Sequence, residues 1–571
     1  MARALDWLEE RVGYRGWARG WSEEQVQGGA RWRYTLGPTL VYLFVQQVAL
    51  GILLASYYSP SATDAWASTA YLNDQVTGGW FLRGLHHHGM SAMVVVAVLH
   101  TIQVVLAGAY KRPRELNWWT GLALGGIVLG FSITGYTLPW DQNAYWSVVV
   151  RAGIVTSVPG GEWSQQLLQG GRELGNLTLT RFYALHVFVL PLLLVGLLWA
   201  HVRLRRRHGV TPPAGLSEEA LVRTREPLWP RQVFMNVVAM TICGGALLAA
   251  TISSHGAPLM APADPASNYM ARPEWFFLGL FQLLKYFNGP LRLVGAALIP
   301  GAAAVFLLVL PFLDRAPTRR LRSRVGALSG VAALMTGLVT LTALAVAEDA
   351  GKESYAAGVA AAQKDAARAR ELALAGVGPR GGVAVWENDP EFQALALFQE
   401  HCATCHTLRG KGGEEAPSFD DWGSRAWMAA FLRAPNEKRF YGGTKAHHTM
   451  EPLSAEDLPE EELMAAVEYV LSLRGDEAGA LDAGLVKRGQ ALWEEKLECS
   501  GCHEVEAGKE GTGPTLAGHG SRAWLERMIV DPTAVDLYGE GAEMPKFGAK
   551  LSAAEISTLA GLIAVERADT L

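Results

Sequence analysis

Seven apolar stretches, near residues 36–57, 86–109, 119–139, 182–203, 232–253, 291–313 and 324–346, constrain this chain more than any other feature. Crossing a bilayer takes about 20 residues of helix, and each stretch is long enough. Within hydrocarbon every backbone amide must be satisfied inside the segment, so such stretches fold as helices. The first part of the chain therefore reads as an all-α, polytopic membrane helix bundle. Half of all residues are hydrophobic and 18% are charged, but the charge is concentrated after residue 346. A net charge of −5 offers no surface for nucleic acid.

The basic residues orient the bundle. Arg11, Arg15, Arg19, Arg31 and Arg33 precede the first stretch, and Lys111, Arg112 and Arg114 separate the second from the third. Arg203, Arg205, Arg206, Arg207, Arg223 and Arg225 separate the fourth from the fifth, and Arg315, Arg319, Arg320, Arg322 and Arg324 the sixth from the seventh. The other connections carry far fewer. The N-terminus is expected in the cytoplasm of a bacterium and the C-terminal region on the outer face of its inner membrane. Residues 1–33 are polar, Trp-rich and basic, with no cleavable signal pattern, so the spans themselves are expected to drive insertion.

Four of the five cysteines lie in two identical spacings, Cys402-x-x-Cys405-His406 and Cys499-x-x-Cys502-His503. This pattern is c-type haem attachment: two thiols add to the haem vinyl groups and the adjacent histidine ligates the iron. Gly423-Ser424-Arg425-Ala426-Trp427 recurs as Gly520-Ser521-Arg522-Ala523-Trp524, shifted by the same 97 residues that separate Cys402 from Cys499. Pro417 and Pro514, Pro435 and Pro532, and Tyr441 and Tyr538 keep that shift. The region is a tandem duplication of one small haem domain. Covalent haem attachment takes place outside the bacterial cytoplasm, in agreement with the charge pattern. Met450 and Met544 fall late in each repeat and are the expected sixth ligands, with His447 and His448 as rivals of Met450; Met428, Met464 and Met528 read as core. Cys243 stands alone in an apolar stretch and reads as a small hydrophobe.

The membrane region carries a second pattern. His86 and His100 are 14 residues apart, and His186 and His201 are 15 apart. Both gaps are close to four helical turns, so each pair shares a helix face with about 21 Å between its members. The second and fourth spans run in the same direction, so His86 lies at the depth of His186 and His100 at that of His201. Two bis-histidine haem sites result, one near each membrane surface. With no open position on iron they suit electron transfer. Gly37 and Gly51, and Gly121 and Gly135, repeat the 14-residue gap and leave room for a flat macrocycle or a neighbouring helix. His87 and His88 flank His86, and only the register chooses among them.

The runs Trp80-Phe81-Leu82-Arg83-Gly84-Leu85-His86, Tyr110-Lys111-Arg112-Pro113-Arg114-Glu115-Leu116, Gly135-Tyr136-Thr137-Leu138-Pro139-Trp140 and Thr180-Arg181-Phe182-Tyr183-Ala184-Leu185-His186 resemble the cytochrome b family of bc and plastid-type bf complexes over roughly residues 30–346. The 15-residue gap resembles the plastid-type branch, in which this region is split between two chains. The resemblance implies a haem-binding role for Arg83 and the four glycines. Pro273-Glu274-Trp275-Phe276 resembles the family's outer quinol-site motif, with Phe in place of Tyr, which implies Glu274 as proton acceptor. Tyr136, Trp140, Tyr145 and Trp146 are candidates for the same pocket, although interfacial aromatics are more often anchors. Thr35 stands where plastid-type relatives carry a cysteine for an extra haem, so no covalent haem is expected on the membrane part. Arg206, Arg207 and Lys111 are candidates for an inner quinone site, and the charge pattern explains them equally well. Pro417 and Pro514 resemble the proline whose carbonyl holds the c-haem histidine.

The expected organisation is a cytoplasmic segment (1–35), a four-helix haem domain (36–215), a three-helix quinol-site domain (216–346), a linker (347–385) whose residues Glu353 to Ala375 form a solvated helix, and two cytochrome c-like domains (386–475 and 476–571). The expected cofactors are two non-covalent b haems and two covalent c haems, with quinol as substrate. The expected homodimer would pass one electron through a separate Rieske iron–sulfur subunit and the c haems to a cytochrome c, an oxidase or another acceptor, and the other across the b haems to quinone. A conduit without its own quinol chemistry, or a membrane redox sensor, is the alternative; Glu274 and the lack of an output domain argue against them.

Overall fold

The structure is a computed structural model and describes every residue except 1–5, 8, 12–22, 157, 172, 268, 447, 476–479, 510 and 566–571. Arg15, Arg19 and His447 thus lie outside the described residues. The chain forms two compact units, Met1–Val385 and Trp386–Leu571.

Among its described residues the first unit holds seven helices long and apolar enough to span a membrane. They are α1 (Leu36–Ala55), α3 (Gly79–Ala107), α4 (Glu115–Thr137), α6 (Asn176–His208), α7 (Arg231–Ser253), α9 (Val294–Leu313) and α10 (Leu321–Ala350). Shorter helices lie between them: α2 (Ala65–Asp74), α5 (Gln142–Val155) and α8 (Trp275–Lys285). This all-α, multi-pass architecture is the expected one. Gly78 and Gly108 bound α3 with φ of 75° and 61°, a conformation open to glycine at little cost. Within α6, Leu185–Val189 form a π turn around His186. Such a turn absorbs one extra residue, which explains how a 15-residue gap on α6 matches a 14-residue gap on α3.

The buried apolar core of the bundle is Leu43, Met93, Val94, Val128, Leu194 and Leu247. Leu43 lies near the midpoint of Gly37 and Gly51, Met93 between His86 and His100, Val128 between Gly121 and Gly135, and Leu194 between His186 and His201. Large side chains therefore plug the bundle at mid-depth, and glycines and histidines leave it open above and below.

Two polar clamps join the parts. Asp314, between α9 and α10, accepts from Arg324 (2.7 Å), Lys111 (2.8 Å) and Tyr110 (2.7 Å). Burial alone would raise its carboxyl, but these donors hold it at about 2. Lys111 also donates to the carbonyls of Asp314 and Ala316, and Arg205 and Arg206 pair with Glu24. Lys111 and Arg206 thus have structural partners. The second clamp is α11 (Glu353–Ala373), which buries Ala366, Ala369 and Leu372 and contacts α2, to which an Arg370–Asp74 ion pair ties it. One face of α11 is therefore docked, where the sequence suggested a solvated helix.

The second unit contains α12 (Pro390–His401), α13 (Arg425–Arg433), α14 (Glu460–Ser472), α15 (Ala483–Glu495), α16 (Arg522–Val530) and α17 (Ala553–Val565). Ser424 and Ser521 cap α13 and α16 identically, each accepting from the amide three residues on. The repeats share one apolar core. Within it α14 packs against α15 and α12 against α17, so the first helix of each repeat meets the last helix of the other.

Candidate redox sites

Each of the four membrane histidines faces one of the four spaced glycines. A Cβ on Gly51 would lie 3.4 Å from the His86 ring, and one on Gly37 would lie 3.8 Å from His100. On the opposite side, a Cβ on Gly121 would lie 3.3 Å from His201, and one on Gly135 only 2.5 Å from His186. The rings of His86 and His186 have centroids 6.2 Å apart. An imidazole nitrogen sits about 2 Å from a metal it ligates, so two axial rings on one iron have centroids about 6 Å apart. The arrangement fits a bis-imidazole iron.

The imidazoles of α6 are also held in tautomer. Thr134 Oγ1 lies 3.0 Å from His186 Nδ1 and Thr120 Oγ1 lies 3.0 Å from His201 Nδ1. Each hydroxyl donates its one proton to a carbonyl of its own helix, Thr134 to Gly130 at 2.8 Å and Thr120 to Asn117 at 3.0 Å. It must then accept from Nδ1–H, which leaves Nε2 free to ligate. His100 Nδ1 meets Gln103 Oε1 at 3.1 Å. His86 Nδ1 is buried without a partner among the described residues. His88 turns away to Ser254 (2.8 Å) and the Gly256 carbonyl (3.1 Å). These distances rank the glycines. Gly135→Ala should cause the largest loss of b-type haem absorbance and Gly37→Ala the smallest, measured per folded protein; an equal loss at both would mean the glycines serve helix packing alone.

Glu274 opens the α8 segment, half-buried, and its carboxylate has no hydrogen-bond or ion-pair partner among the described residues. Burial raises its pKa above the ordinary value. The loop before it is clamped: Arg272 makes a bidentate pair with Asp349 at 2.8 and 2.9 Å. Tyr136 follows Gly135 in sequence and its hydroxyl reaches the Arg272 carbonyl at 3.4 Å. Consecutive residues of α4 thus touch the His186 ring and the Glu274 loop. Trp275 Nε1 donates to Ser91 (3.3 Å), and Phe276 packs against the mid-depth core.

In the second unit, His406 Nδ1 lies 2.7 Å from the Pro417 carbonyl and His503 Nδ1 lies 2.8 Å from that of Pro514. Both rings therefore keep Nε2 for a metal. Cys402, Cys405, Cys499 and Cys502 form no disulfide. Trp427 Nε1 and Trp524 Nε1, at matching places in the repeats, are buried with no partner among the described residues, as expected beside a polar group of a bound cofactor. Met450 and Met544 pack against the shared core, whereas Met428 is fully inside it.

Known proteins match this arrangement in the same order. A family described as Cytochrome b(N-terminal)/b6/petB matches residues 91–264, and Cytochrome b(C-terminal)/b6/petD matches 262–363. Cytochrome b6 of Prochlorococcus marinus (strain MIT 9303) is 40% identical over 209 residues, 36% of this chain and 96% of that protein. Cytochrome b6 of Porphyra purpurea is 40% identical over 214 residues, 37% of this chain and 100% of that protein. The chain belongs to the cytochrome b family. Two further families follow in this cytochrome b: Cytochrome c at 394–474, and Cytochrome C oxidase, cbb3-type, subunit III, at 484–563. A solved structure titled "Hyperthermophilic respiratory Complex III" aligns with a TM-score of 0.53 and 26% identity, covering 60% of this chain and 91% of that one. The protein is thus a multi-pass b-type membrane subunit of a bc-type oxidoreductase, with cytochrome c domains and with haem b and haem c as its cofactors.

Several expected residues of this cytochrome b also make contacts within the protein. Arg83 donates to the carbonyls of Ala257 (2.8 Å) and Pro258 (2.6 Å), stapling the α7–α8 connection to α3. Tyr145 packs with Trp140 in a cluster around Leu179, and Trp146 reaches Gln142 and Ser267. Thr35 is buried and donates to the Trp32 carbonyl. Thr120 and Thr134 were not singled out from sequence, although each immediately precedes a spaced glycine and shares the 14-residue gap.

Proposed function

We propose that this cytochrome b is the core subunit of a quinol:cytochrome c oxidoreductase that couples quinol oxidation to proton translocation in a bacterial inner membrane. His86 with His186, and His100 with His201, hold two b haems; Cys402, Cys405 and His406, and Cys499, Cys502 and His503, hold two c haems, with Met450 and Met544 as sixth ligands. Bound haem supplies reversible one-electron chemistry at each position. The observation that carries the reading is the junction at Gly135–Tyr136, which brings an unpartnered carboxylate next to the His86/His186 level.

Pro273, Trp275, Phe276 and Tyr136 form the pocket wall, and Glu274 takes the quinol proton. The bidentate Arg272–Asp349 pair fixes the loop, and the mid-depth plug keeps water from joining the two haem levels. All cysteines but Cys243 belong to c-haem motifs, so a Rieske centre must come from a partner chain. A homodimer, a cytoplasmic N-terminus, outer c domains and a downstream cytochrome c or oxidase complete the reading. The proposed domain limits are those read from the sequence, with 347–385 as the linker.

The test has two parts. Pyridine haemochrome analysis should give two b and two c haems, with only the b haems removed by acid–acetone. Membranes containing the Rieske partner should reduce the c haems when given a short-chain quinol, and membranes lacking it should not. Quinol-independent behaviour in both would sink the proposal in favour of a simple conduit.

A further inference from the structure

We infer that the two c-haem pockets are exchanged between the repeats: the haem on His406 takes its sixth ligand from Met544, and the haem on His503 takes its from Met450. The inference rests on the c-haem reading above and concerns only which repeat completes each pocket.

The argument starts from helix pairing. Each attachment motif follows the first helix of its repeat, Cys402 immediately after α12 and Cys499 four residues after the end of α15. Each methionine lies shortly before the last helix of its repeat, Met450 before α14 and Met544 before α17. The haem is tethered to the first of those helices and the methionine to the second, and we assign each pocket to the pair that packs together, while Ser418 and Thr515 also donate to the carbonyls of Arg439 and Asp536 in their own repeats. α15 crosses α14, not α17. The crossing is intimate: a Cβ on Gly489 would collide with the Ala465 carbonyl and lie 2.7 Å from Tyr469 Cβ. Trp493 packs on Tyr469 with centroids 5.7 Å apart, and Lys496 pairs with Glu462 at 2.6 Å.

The exchange extends past the helices. Gly518, just beyond Pro514, donates its amide to the Leu473 carbonyl at the end of α14 (2.7 Å). Arg474 donates to the His519 carbonyl (3.3 Å) and to the Gly423 carbonyl of its own repeat (3.1 Å). The end of the last helix of the first repeat thus touches the loop that follows His503. Met450 travels with that helix: Leu453 donates to the Leu432 carbonyl (3.0 Å), and Arg433 donates to the carbonyls of Leu453 (3.0 Å) and Leu458 (2.7 Å). α13, the Met450 loop and α14 thus form one block, which packs on α15. The mirror relation holds for the other pocket. α12 packs on α17, and the ring of His401, next to Cys402, lies 6.1 Å from that of Phe547, three residues after Met544. Phe547 in turn donates to Ile529 of α16 (3.1 Å). The two blocks meet where Tyr441 and Tyr538 share a hydrogen bond of 2.6 Å.

The test marks one haem. Cys402→Ala leaves a single thioether and one free vinyl on the haem of His406, which moves its reduced α band to longer wavelength. In that background Met544→His should lower the potential of the marked haem and abolish its far-red Met-to-iron band, while Met450→His changes only the unmarked haem. The opposite pattern, or no change of either haem, would overturn the exchange. Should the marked haem fail to attach, Cys402→Ser with Cys405→Ser leaves only the haem on His503. Loss of its far-red band in Met450→His supports the exchange, and loss in Met544→His refutes it. Absence of any covalent haem in the parent chain would strike the c-haem reading instead.

Discussion

Replacing His201 by Leu should remove one b haem and leave the other b haem and both c haems spectrally intact. His201 faces Gly121 and shares a level with His100, and the mid-depth core of Leu43, Met93, Val128 and Leu194 separates that level from the His86/His186 level. A leucine offers no lone pair, and a single remaining imidazole does not give the closed, low-spin coordination of an electron-transfer haem. Thr120 loses its imidazole donor but keeps its bond to the Asn117 carbonyl, so the helix should be undisturbed. The measurement is the reduced-minus-oxidised spectrum, with c-haem absorbance as internal standard. Loss of both b haems from folded, inserted protein would mean that the pairing by depth is wrong.

The membrane part was legible because its information is periodic. A bilayer-spanning helix must be apolar, so four histidines at four-turn spacing stand out, and the glycines facing them share the gap. The π turn was not legible: a 15-residue gap is compatible with a straight helix, and only the packing of His186 against Gly135 demands the wider turn. The docking of α11 was hidden for another reason. Arg370 and Asp74 are far apart in sequence, and an Ala-rich charged helix looks solvated until its partner surface is known. The pairing of the c helices was illegible in principle. A duplication gives both repeats nearly the same interfaces, so the sequence names the elements of each pocket without saying which copy supplies them. The hydrogen bonds of Arg83 to the carbonyls of Ala257 and Pro258 were hidden for the same reason as the docking of α11, because those partners are far away in sequence.

Glu274→Gln should slow quinol oxidation by about 10²-fold, the low end of the range for loss of a general base, without changing any haem spectrum. The amide keeps the size and polarity of the side chain but takes no proton near neutral pH. The Arg272–Asp349 clamp and the contacts of Trp275 and Phe276 do not involve the carboxylate, so the loop should hold its shape. The pH dependence separates this role from a structural one. Burial raises the pKa of Glu274 above the usual carboxylate value, because the charged form is the one that loses hydration. The ionised form is the proton acceptor, so wild-type turnover should fall as pH drops through that raised pKa. In the Gln variant the residual rate should lack this acidic limb. The assay is quinol-dependent reduction of the c haems with the Rieske partner present, followed across pH. A variant as fast as wild type, or one that is slow but keeps the same acidic limb, would assign the proton to another group and leave Glu274 as part of the wall.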